Sequence, residues 1–245
     1  MALGAAVLTA SLEASPHSTE APAAPLAVVP SPQTASWWMP RHEARLAAVK
    51  ALRDAGKSPR VVFIGDSITE WWERAGQPVW AEHYAGLDAL NLGFAGDKTD
   101  QVLWRLQQGE VNGLAPRVAV LMIGTNNTGD RRDDPAATAL GVRRVIEELQ
   151  QRLPTTTVLL LAIFPRGATA DDSLRAINTR INTRLSALAD GKRVHFLDVG
   201  PALTNADGSV SPEVMPDQLH LSERGYRLWA QAMQPTLTRL LEAPR

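Results

Sequence analysis

The sequence predicts one α/β domain in which a five-stranded parallel sheet lies between two layers of helices, a three-layer α/β/α sandwich. From Trp37 onward, short apolar runs alternate with amphipathic stretches, which is the pattern of βαβ units. The chain has 245 residues, 44% of them hydrophobic and 21% charged, which suits a single soluble domain with one large core.

Five apolar runs rich in Val, Ile and Leu are the predicted strands. They cover residues 60–64, 89–92, 118–123, 157–163 and 194–197. Helical periodicity and end signals predict helices at 40–56, 99–107, 135–153, 173–189 and 222–241. Ligands of open parallel sheets bind beyond the carboxyl ends of the strands, so the loops after those ends are where we look for chemistry.

Composition excludes several classes of function. The formal net charge is −1 and the pI is about 6.5, so no basic field would attract DNA or RNA. There is no cysteine, and the histidine spacings do not resemble those of metal sites, so no metal is expected. No apolar run reaches the roughly 18 residues of a membrane span, so we expect no stable membrane insertion.

The N-terminal segment 1–36 is predicted to be a disordered tail or the remnant of a signal peptide, and 37–245 to be the folded domain. Residues 1–10 are mostly apolar, and the stretch to Ser36 is rich in Pro, Ala and Ser. A secretory signal normally has a basic residue before its apolar run, but the first basic residue here is Arg41. We expect export to the periplasm or the medium. The alternative is a cytoplasmic protein with a disordered, Pro- and Ala-rich N-terminal tail.

A serine follows the first predicted strand, in Gly65-Asp66-Ser67. At the start of a helix, a serine hydroxyl lies beside free backbone N–H groups that can stabilise developing negative charge. Ser67 is therefore a candidate nucleophile. The alternative is that Ser67 only caps the helix.

The loops after the second and third strands hold glycines and amides. The second, Asn91–Thr99, contains Gly96, whose backbone can approach a ligand closely. Its spacing does not fit a phosphate-binding P-loop, so nucleotide binding is rejected. The third, Gly124–Asn127, contains Asn126, whose side chain can donate to an oxyanion or form an Asx turn.

Asp217 and His220 precede the last predicted helix, three residues apart. At that spacing a carboxylate can reach the imidazole Nδ1–H and leave Nε2 free to accept a proton from a serine. The other histidines have simpler structural interpretations. They are His17 in the tail, His42 and His83 on predicted helix surfaces, and His195 in a strand.

Together these blocks resemble the GDSL, or SGNH, hydrolase superfamily, which carries Ser, Gly, Asn and His in that order. Here the four residues are Ser67, Gly96, Asn126 and His220, and the resemblance spans about 37–241. The chain looks most like the branch of the platelet-activating-factor acetylhydrolase catalytic subunits. The segments that carry this likeness are Asn91–Thr99, Val102–Leu106, Gly124–Asn127, Asp207-Gly208 and Leu219–Tyr226.

Two positions depart from patterns within the superfamily. Ala95 stands where a second glycine is usual, and Asn127 where many members have Asp. The first departure would narrow the site slightly, whereas the second agrees with the acetylhydrolase branch.

The resemblance implies a flavodoxin-like sheet, hydrolysis of short acyl esters such as acetyl, and no metal or organic cofactor. It implies that Ser67 is the nucleophile, His220 the base and Asp217 its orienting carboxylate. The oxyanion hole would comprise the N–H groups of Ser67 and Gly96 and the Asn126 side chain. Members of this branch often form dimers, so a homodimer is a possible assembly.

The substrate is predicted less sharply, as a small-molecule ester of a carbohydrate or small alcohol. A lysophospholipase or lipase, an acyltransferase, and a non-catalytic glycan- or protein-binding module are the alternatives. Three tryptophans near the first two blocks could line an acyl or sugar pocket or belong to the core: Trp71, Trp72 and Trp104. Three charged residues could bind a polar leaving group or be solvated: Glu70, Lys98 and Arg166.

Overall fold

A computed structural model describes Met1 and residues 23–244, and its centre is a five-stranded, all-parallel sheet in the order β2-β1-β3-β4-β5. The strands are β1 Val61–Gly65, β2 Leu90–Gly93, β3 Val118–Met122, β4 Thr157–Leu161 and β5 Val194–Leu197. Every strand lies within two residues of its predicted bounds, and the predicted fold class is confirmed.

Helices cover both faces of this sheet. The five long ones correspond to the predicted helices: α1 Trp38–Asp54, α4 Thr99–Gln107, α6 Pro135–Arg152, α7 Ser173–Ser186 and α9 Glu223–Glu242. Sequence periodicity set no bounds for four short helices, because they are too short to show a periodic pattern: α2 Ser67–Glu70, α3 Gln77–His83, α5 Thr125–Gly129 and α8 Gly200–Leu203. Side chains of Asp134, Asp172 and Ser222 cap α6, α7 and α9 by accepting first-turn N–H groups.

The two faces of the sheet build two separate cores, because successive residues of a strand point to opposite sides. Val62 and Ile64 of β1 pack on the side of α1, α4, α6 and α7. Val61 and Phe63 pack on the side of α2, α3, α8 and α9. Both faces of β1 and β3 are buried, so these strands hold their carboxyl ends rigidly.

Residues 25–36 form an N-terminal strap that packs against α4 and α6, so the boundary predicted at residue 36 has to move toward the N-terminus. The strap includes the 3-10 turn Leu26–Val28, whose Ala27 is buried. The Thr99 hydroxyl donates to the Ala27 carbonyl at 2.8 Å. Gly141 lets α6 approach, because a Cβ there would lie 2.6 Å from that carbonyl oxygen. This packing has no signal in the sequence, because the strap is short and lacks periodicity.

The rest of the predicted tail, including most of the apolar run and His17, falls on residues 2–22, outside the described residues. Within residues 23–244, none of the helices combines the length and the apolar character needed to cross a membrane.

The central strand provides a test of the core. Leu121 of β3 is fully buried, whereas Leu140 of α6 is 40% exposed. We expect Leu121→Ala to lower the free energy of unfolding by about 2–5 kcal/mol, because it removes buried methyl groups and leaves a cavity. The matched control Leu140→Ala should change it by less than about 0.5 kcal/mol. Urea unfolding measures both, and equal effects would contradict this packing.

Candidate active site

Four polar segments meet at the carboxyl edge of the sheet. Three of them follow β1, β2 and β3, and the fourth precedes α9. The contacts that join them are Ser67 to His220, Glu70 to Ala95, and Asn126 to Asp97. The four sequence blocks therefore come together in space.

Ser67 is the first residue of α2, directly beyond β1. The side chain of Asp66 caps this helix by accepting the Ile68 N–H at 3.0 Å. A glycine is required at position 65, because a Cβ there would lie 2.3 Å from the Met122 carbonyl oxygen. The tight turn leaves Ser67 only 7% exposed, with its hydroxyl directed to the segment before α9.

His220 links this hydroxyl to a carboxylate. Its Nε2 lies 2.9 Å from Ser67 Oγ, and its Nδ1 lies 2.6 Å from Asp217 Oδ2. The other oxygen of Asp217 accepts the backbone N–H groups of Leu219 and His220 at 3.1 and 2.7 Å. Partial burial alone would raise the pKa of Asp217, but these hydrogen bonds outweigh it and hold the pKa below its usual value. Asp217 therefore stays ionised and fixes the imidazole ring.

Trp71 borders this pair, whereas the other two tryptophans of interest do not. The Trp71 ring stacks on His220, with centroids 4.1 Å apart and planes 19° apart. Trp72 lies in the aromatic core, 4.4 Å from the Tyr226 ring between centroids. Trp104 packs against Trp38 of α1 at 5.4 Å. Of the three, only Trp71 is placed to contact a ligand at Ser67.

Three potential donors face the same edge as Ser67. Neither Ser67 N–H nor Gly96 N–H has a hydrogen-bond acceptor among the described residues. Gly96 is exposed and has a φ of 74°, a conformation that favours glycine. Asn126 donates one Nδ2 hydrogen to the Asp97 carbonyl at 3.0 Å, which leaves the second hydrogen of its amide available.

The three charged candidates for leaving-group binding have partners within the protein. Glu70 is buried and accepts the Ala95 N–H at 2.7 Å. It therefore supports the loop between β2 and α4, residues 94–98, which we call the β2 loop, and it is not a solvated residue. Lys98 pairs with Asp130 at 2.6 Å. Arg166 donates to the carbonyl and hydroxyl of Thr125, the residue before Asn126. These contacts orient the loops of the site.

The prediction that His42 lies on a helix surface is wrong. His42 is 2% exposed, stacks on Trp38 and lies 3.7 Å from Glu110. The reason is that α1 turns this face inward onto α4. His83 is partly buried at the end of α3, and His195 lies in β5 as predicted.

Asp66 was not singled out by the sequence, although it adjoins the serine. It is fully buried, and its Oδ2 has no partner within the described part of the chain. Burial, helped by the charge of Asp97, raises the pKa of Asp66 to about 7, while the Ile68 N–H opposes the rise. Burial therefore favours the protonated form of this helix cap relative to an exposed carboxyl.

The site is open to solvent on its histidine side. The side chain of His220 is 19% exposed and that of Asp217 53% exposed. Among the described residues, no cluster of three or more His, Asp or Glu side chains is arranged to hold a metal. The contacts from Asp217 through His220 to Ser67 suit proton transfer and acyl chemistry at a serine.

Comparison with known proteins agrees with this geometry. Residues 63–228 match the model of the GDSL-like Lipase/Acylhydrolase family. This chain is a member of that family. It is also 37% identical over 205 residues to the human platelet-activating factor acetylhydrolase IB subunit alpha1, covering 83% of this chain and 84% of the relative. The rat subunit alpha2 is 32% identical over 206 residues, covering 84% and 85%.

Solved structures show the same fold at lower identity. A GDSL-like lipase from Bacteroides thetaiotaomicron superposes with a TM-score of 0.67 at 20% identity, covering 81% of this chain and 97% of that one. An acetylxylan esterase from Geobacillus stearothermophilus gives a TM-score of 0.59 at 18% identity, covering 76% and 95%. By its family match and its relatives, the chain is a GDSL-type carboxylic ester hydrolase. It is therefore an enzyme and not a non-catalytic binding module.

The buried Asp66 predicts a pH-dependent stability difference. A carboxyl whose folded pKa is raised stabilises the fold at low pH and loses that contribution as pH rises toward its folded pKa. Asp66→Asn keeps the cap oxygen but cannot ionise. Relative to the wild type, the variant should therefore gain on the order of 2 kcal/mol in free energy of unfolding between pH 5 and 8.

Urea unfolding at the two pH values measures this difference. Glu43→Gln, an exposed residue of α1, is the control. The free energies of unfolding of the wild type and of Asp66→Asn are compared at each pH. If they differ by the same amount at pH 5 and at pH 8, the Asp66 carboxyl does not titrate in this range.

Proposed function

We propose that this GDSL-type hydrolase is a serine esterase of short-chain acyl esters, with Ser67 as nucleophile, His220 as general base and Asp217 as the carboxylate that orients it. The observation that carries the proposal is the unbroken chain of contacts from Asp217 Oδ2 to His220 Nδ1 at 2.6 Å and from His220 Nε2 to Ser67 Oγ at 2.9 Å. Both distances are within the reach needed for proton transfer.

In the first half of the reaction Ser67 Oγ attacks the ester carbonyl while His220 Nε2 accepts the hydroxyl proton. The tetrahedral intermediate collapses, the proton passes from His220 to the departing alcohol oxygen, and an acyl-serine remains. In the second half, His220 takes a proton from water as its oxygen attacks the acyl carbonyl. The second tetrahedral intermediate then collapses, the carboxylic acid leaves, and His220 returns the proton to Ser67 Oγ. Asp217 stabilises the imidazolium in both halves.

The oxyanion that forms in each half would be held by the N–H groups of Ser67 and Gly96 and by the Asn126 side chain. Support for this comes from their free hydrogens and from their position at one sheet edge. Donors that are fixed before the reaction stabilise the transition state without reorganisation.

The acyl group is proposed to be short. The cavities of about 380 Å³ beyond β4 and β5 and of about 550 Å³ between α6 and α7 are not lined by Ser67. A long acyl chain would need an apolar cavity at the serine. The names of the relatives also favour acetyl, since an acetylhydrolase and an acetylxylan esterase are among them.

The alcohol is proposed to be a carbohydrate or a small alcohol. The openness of the His220 and Asp217 side chains leaves room for a large polar leaving group outside the protein, and stacking of sugars on an aromatic face such as Trp71 fits this use. Deacetylated platelet-activating factor is the competing leaving group, because the relatives are named as platelet-activating factor acetylhydrolases.

Hydrolysis of p-nitrophenyl acetate, butyrate and octanoate tests the acyl preference and the nucleophile. We expect kcat/KM to fall with chain length and to vanish in Ser67→Ala. The control Ser186→Ala changes an exposed serine at the end of α7 and should match the wild type. Highest activity on octanoate would indicate a lipase, and full activity of Ser67→Ala would exclude Ser67 as the nucleophile.

Asn126→Ala tests the oxyanion assignment. Loss of one oxyanion donor typically lowers kcat by about 10² to 10³, and we expect a decrease in that range on p-nitrophenyl acetate. KM should change little, because the interaction forms mainly in the transition state. The control Asn112→Ala removes an exposed asparagine from the loop before β3. A raised KM with unchanged kcat would assign Asn126 to substrate binding instead.

A further inference from the structure

We propose that Gln33 of the N-terminal strap is a positioning residue of the oxyanion hole, acting through the peptide between Ala95 and Gly96. The inference rests on the proposed function, since it concerns the Gly96 N–H as an oxyanion donor. It gives the strap a part in catalysis that the sequence blocks do not include.

The Gln33 side chain bridges the two neighbours of Gly96. Its Nε2 donates to the Ala95 carbonyl at 3.0 Å and to Asp97 Oδ1 at 2.6 Å. The same amide lies over Gly96 itself, since a Cβ built there would be 3.6 Å from both Nε2 and Oε1 of Gln33. The carboxamide therefore lies on the side of Gly96 where a side chain would stand, next to the glycine whose N–H is the proposed donor.

The bond to Ala95 matters because the Ala95 carbonyl and the Gly96 N–H belong to one peptide unit. In a planar trans peptide the C=O and N–H point in opposite directions. A donor that holds the carbonyl thus also fixes where the N–H points. Gly96 has a positive φ and is exposed. Because glycine has no Cβ, rotation of the peptide that precedes it costs little conformational energy. Gln33 supplies the restraint that the glycine lacks.

The remaining groups around this peptide are restrained by other residues. Glu70 accepts the Ala95 N–H at 2.7 Å, and Asn126 donates to the Asp97 carbonyl at 3.0 Å. Among the described residues, Gln33 is the one hydrogen-bond partner of the Ala95 carbonyl. Removing Gln33 therefore frees one specific peptide and leaves its neighbours restrained.

Asp97 fixes which end of the Gln33 amide faces the loop. Its carboxylate is fully buried and also accepts Trp38 Nε1 at 2.7 Å and Arg105 Nε at 2.8 Å. Both partners of Gln33, the carbonyl of Ala95 and the carboxylate of Asp97, are acceptors. The nitrogen of the amide must therefore point to them.

Two variants test the role, with Thr34→Ala, an exposed neighbour in the strap, as the matched control. In Gln33→Ala, kcat on p-nitrophenyl acetate should fall by between about 10-fold and about 100-fold. This is less than the decrease of about 10²- to 10³-fold that follows the complete loss of an oxyanion donor. KM should stay within about twofold, because the hole acts on the transition state. Thr34→Ala should keep the wild-type kcat.

Gln33→Glu adds a second readout, the pH dependence of kcat, which would not change if Gln33 only stabilised the fold. Near pH 8 its carboxylate would face two acceptors and hold neither, so kcat should fall at least as far as in Gln33→Ala. As pH drops, the introduced carboxyl takes up one proton, and its O–H can then donate to the Ala95 carbonyl. The ratio of variant to wild-type kcat should therefore rise between pH 8 and 5.5, whereas the ratio for Gln33→Ala should stay flat.

Thermal unfolding is measured for each variant so that kcat is compared well below the unfolding transition. A wild-type kcat in folded Gln33→Ala, or a flat ratio for Gln33→Glu, would overturn the positioning role. Failure of the proposed function would look different, because the wild type would then be inactive or Ser67→Ala would keep its activity.

Discussion

The buried carboxylate of Asp97 is the interaction on which the candidate site depends most. One oxygen accepts Gln33 and Trp38, and the other accepts Arg105. These partners come from the strap, α1 and α4, so a single side chain holds three separate segments of the chain against the loop that follows β2. Burial raises the pKa of Asp97 to about 6, and the neighbouring Arg105 opposes the rise.

Such a buried cluster contributes more to geometry than to stability. Arg105 also pairs with Glu110, and its guanidinium lies 4.0 Å from the centroid of the Phe94 ring. Buried ion pairs lose much of their attraction to desolvation, but removing one partner strands the other charge and is strongly destabilising. The β2 loop is consequently restricted to the conformation that satisfies every charge. That restriction places Gly96 and, through the Asp97 carbonyl, Asn126.

The sequence predicted the parts of this arrangement that depend on local pattern. β5 is found at its predicted residues because Val194–Leu197 is a bounded apolar run, and α4 at its predicted residues because its apolar positions repeat at helical spacing. The positions of Ser67, Gly96 and Asn126 after predicted strands were enough to predict that they meet at one edge, since parallel strands end together. His220 precedes α9, and its place beside Ser67 was expected from the family resemblance.

Contacts between residues far apart in the chain could not be predicted in this way. Gln33 meets Ala95 across 62 positions, and Trp38 meets Asp97 across 59. No period or motif in the proline-rich strap predicts the contact of Gln33, and the helical pattern of α1 does not identify the partner of Trp38. The adjacent Trp71 and Trp72 make the same point, because one stacks on His220 and the other enters the core. The path of the chain after α2 determines that Trp71 faces His220 and that Trp72 enters the core.

The two halves of the site are held by different means, and this difference bears on how its specificity can vary. The serine side is buried: Asn91 donates to the Thr69 and Glu70 carbonyls, and Tyr226 donates to the Ile68 carbonyl at 2.7 Å. The histidine side is an exposed turn held by its own Asp217 and by the Gly167 N–H on Gln218. Substitutions around Ser67 and Gly96 therefore disturb many buried contacts and the chemistry together. Around His220 the surface can change while the turn keeps its own hydrogen bonds, so the exposed side is where related enzymes can adapt to different alcohols without losing the acyl chemistry.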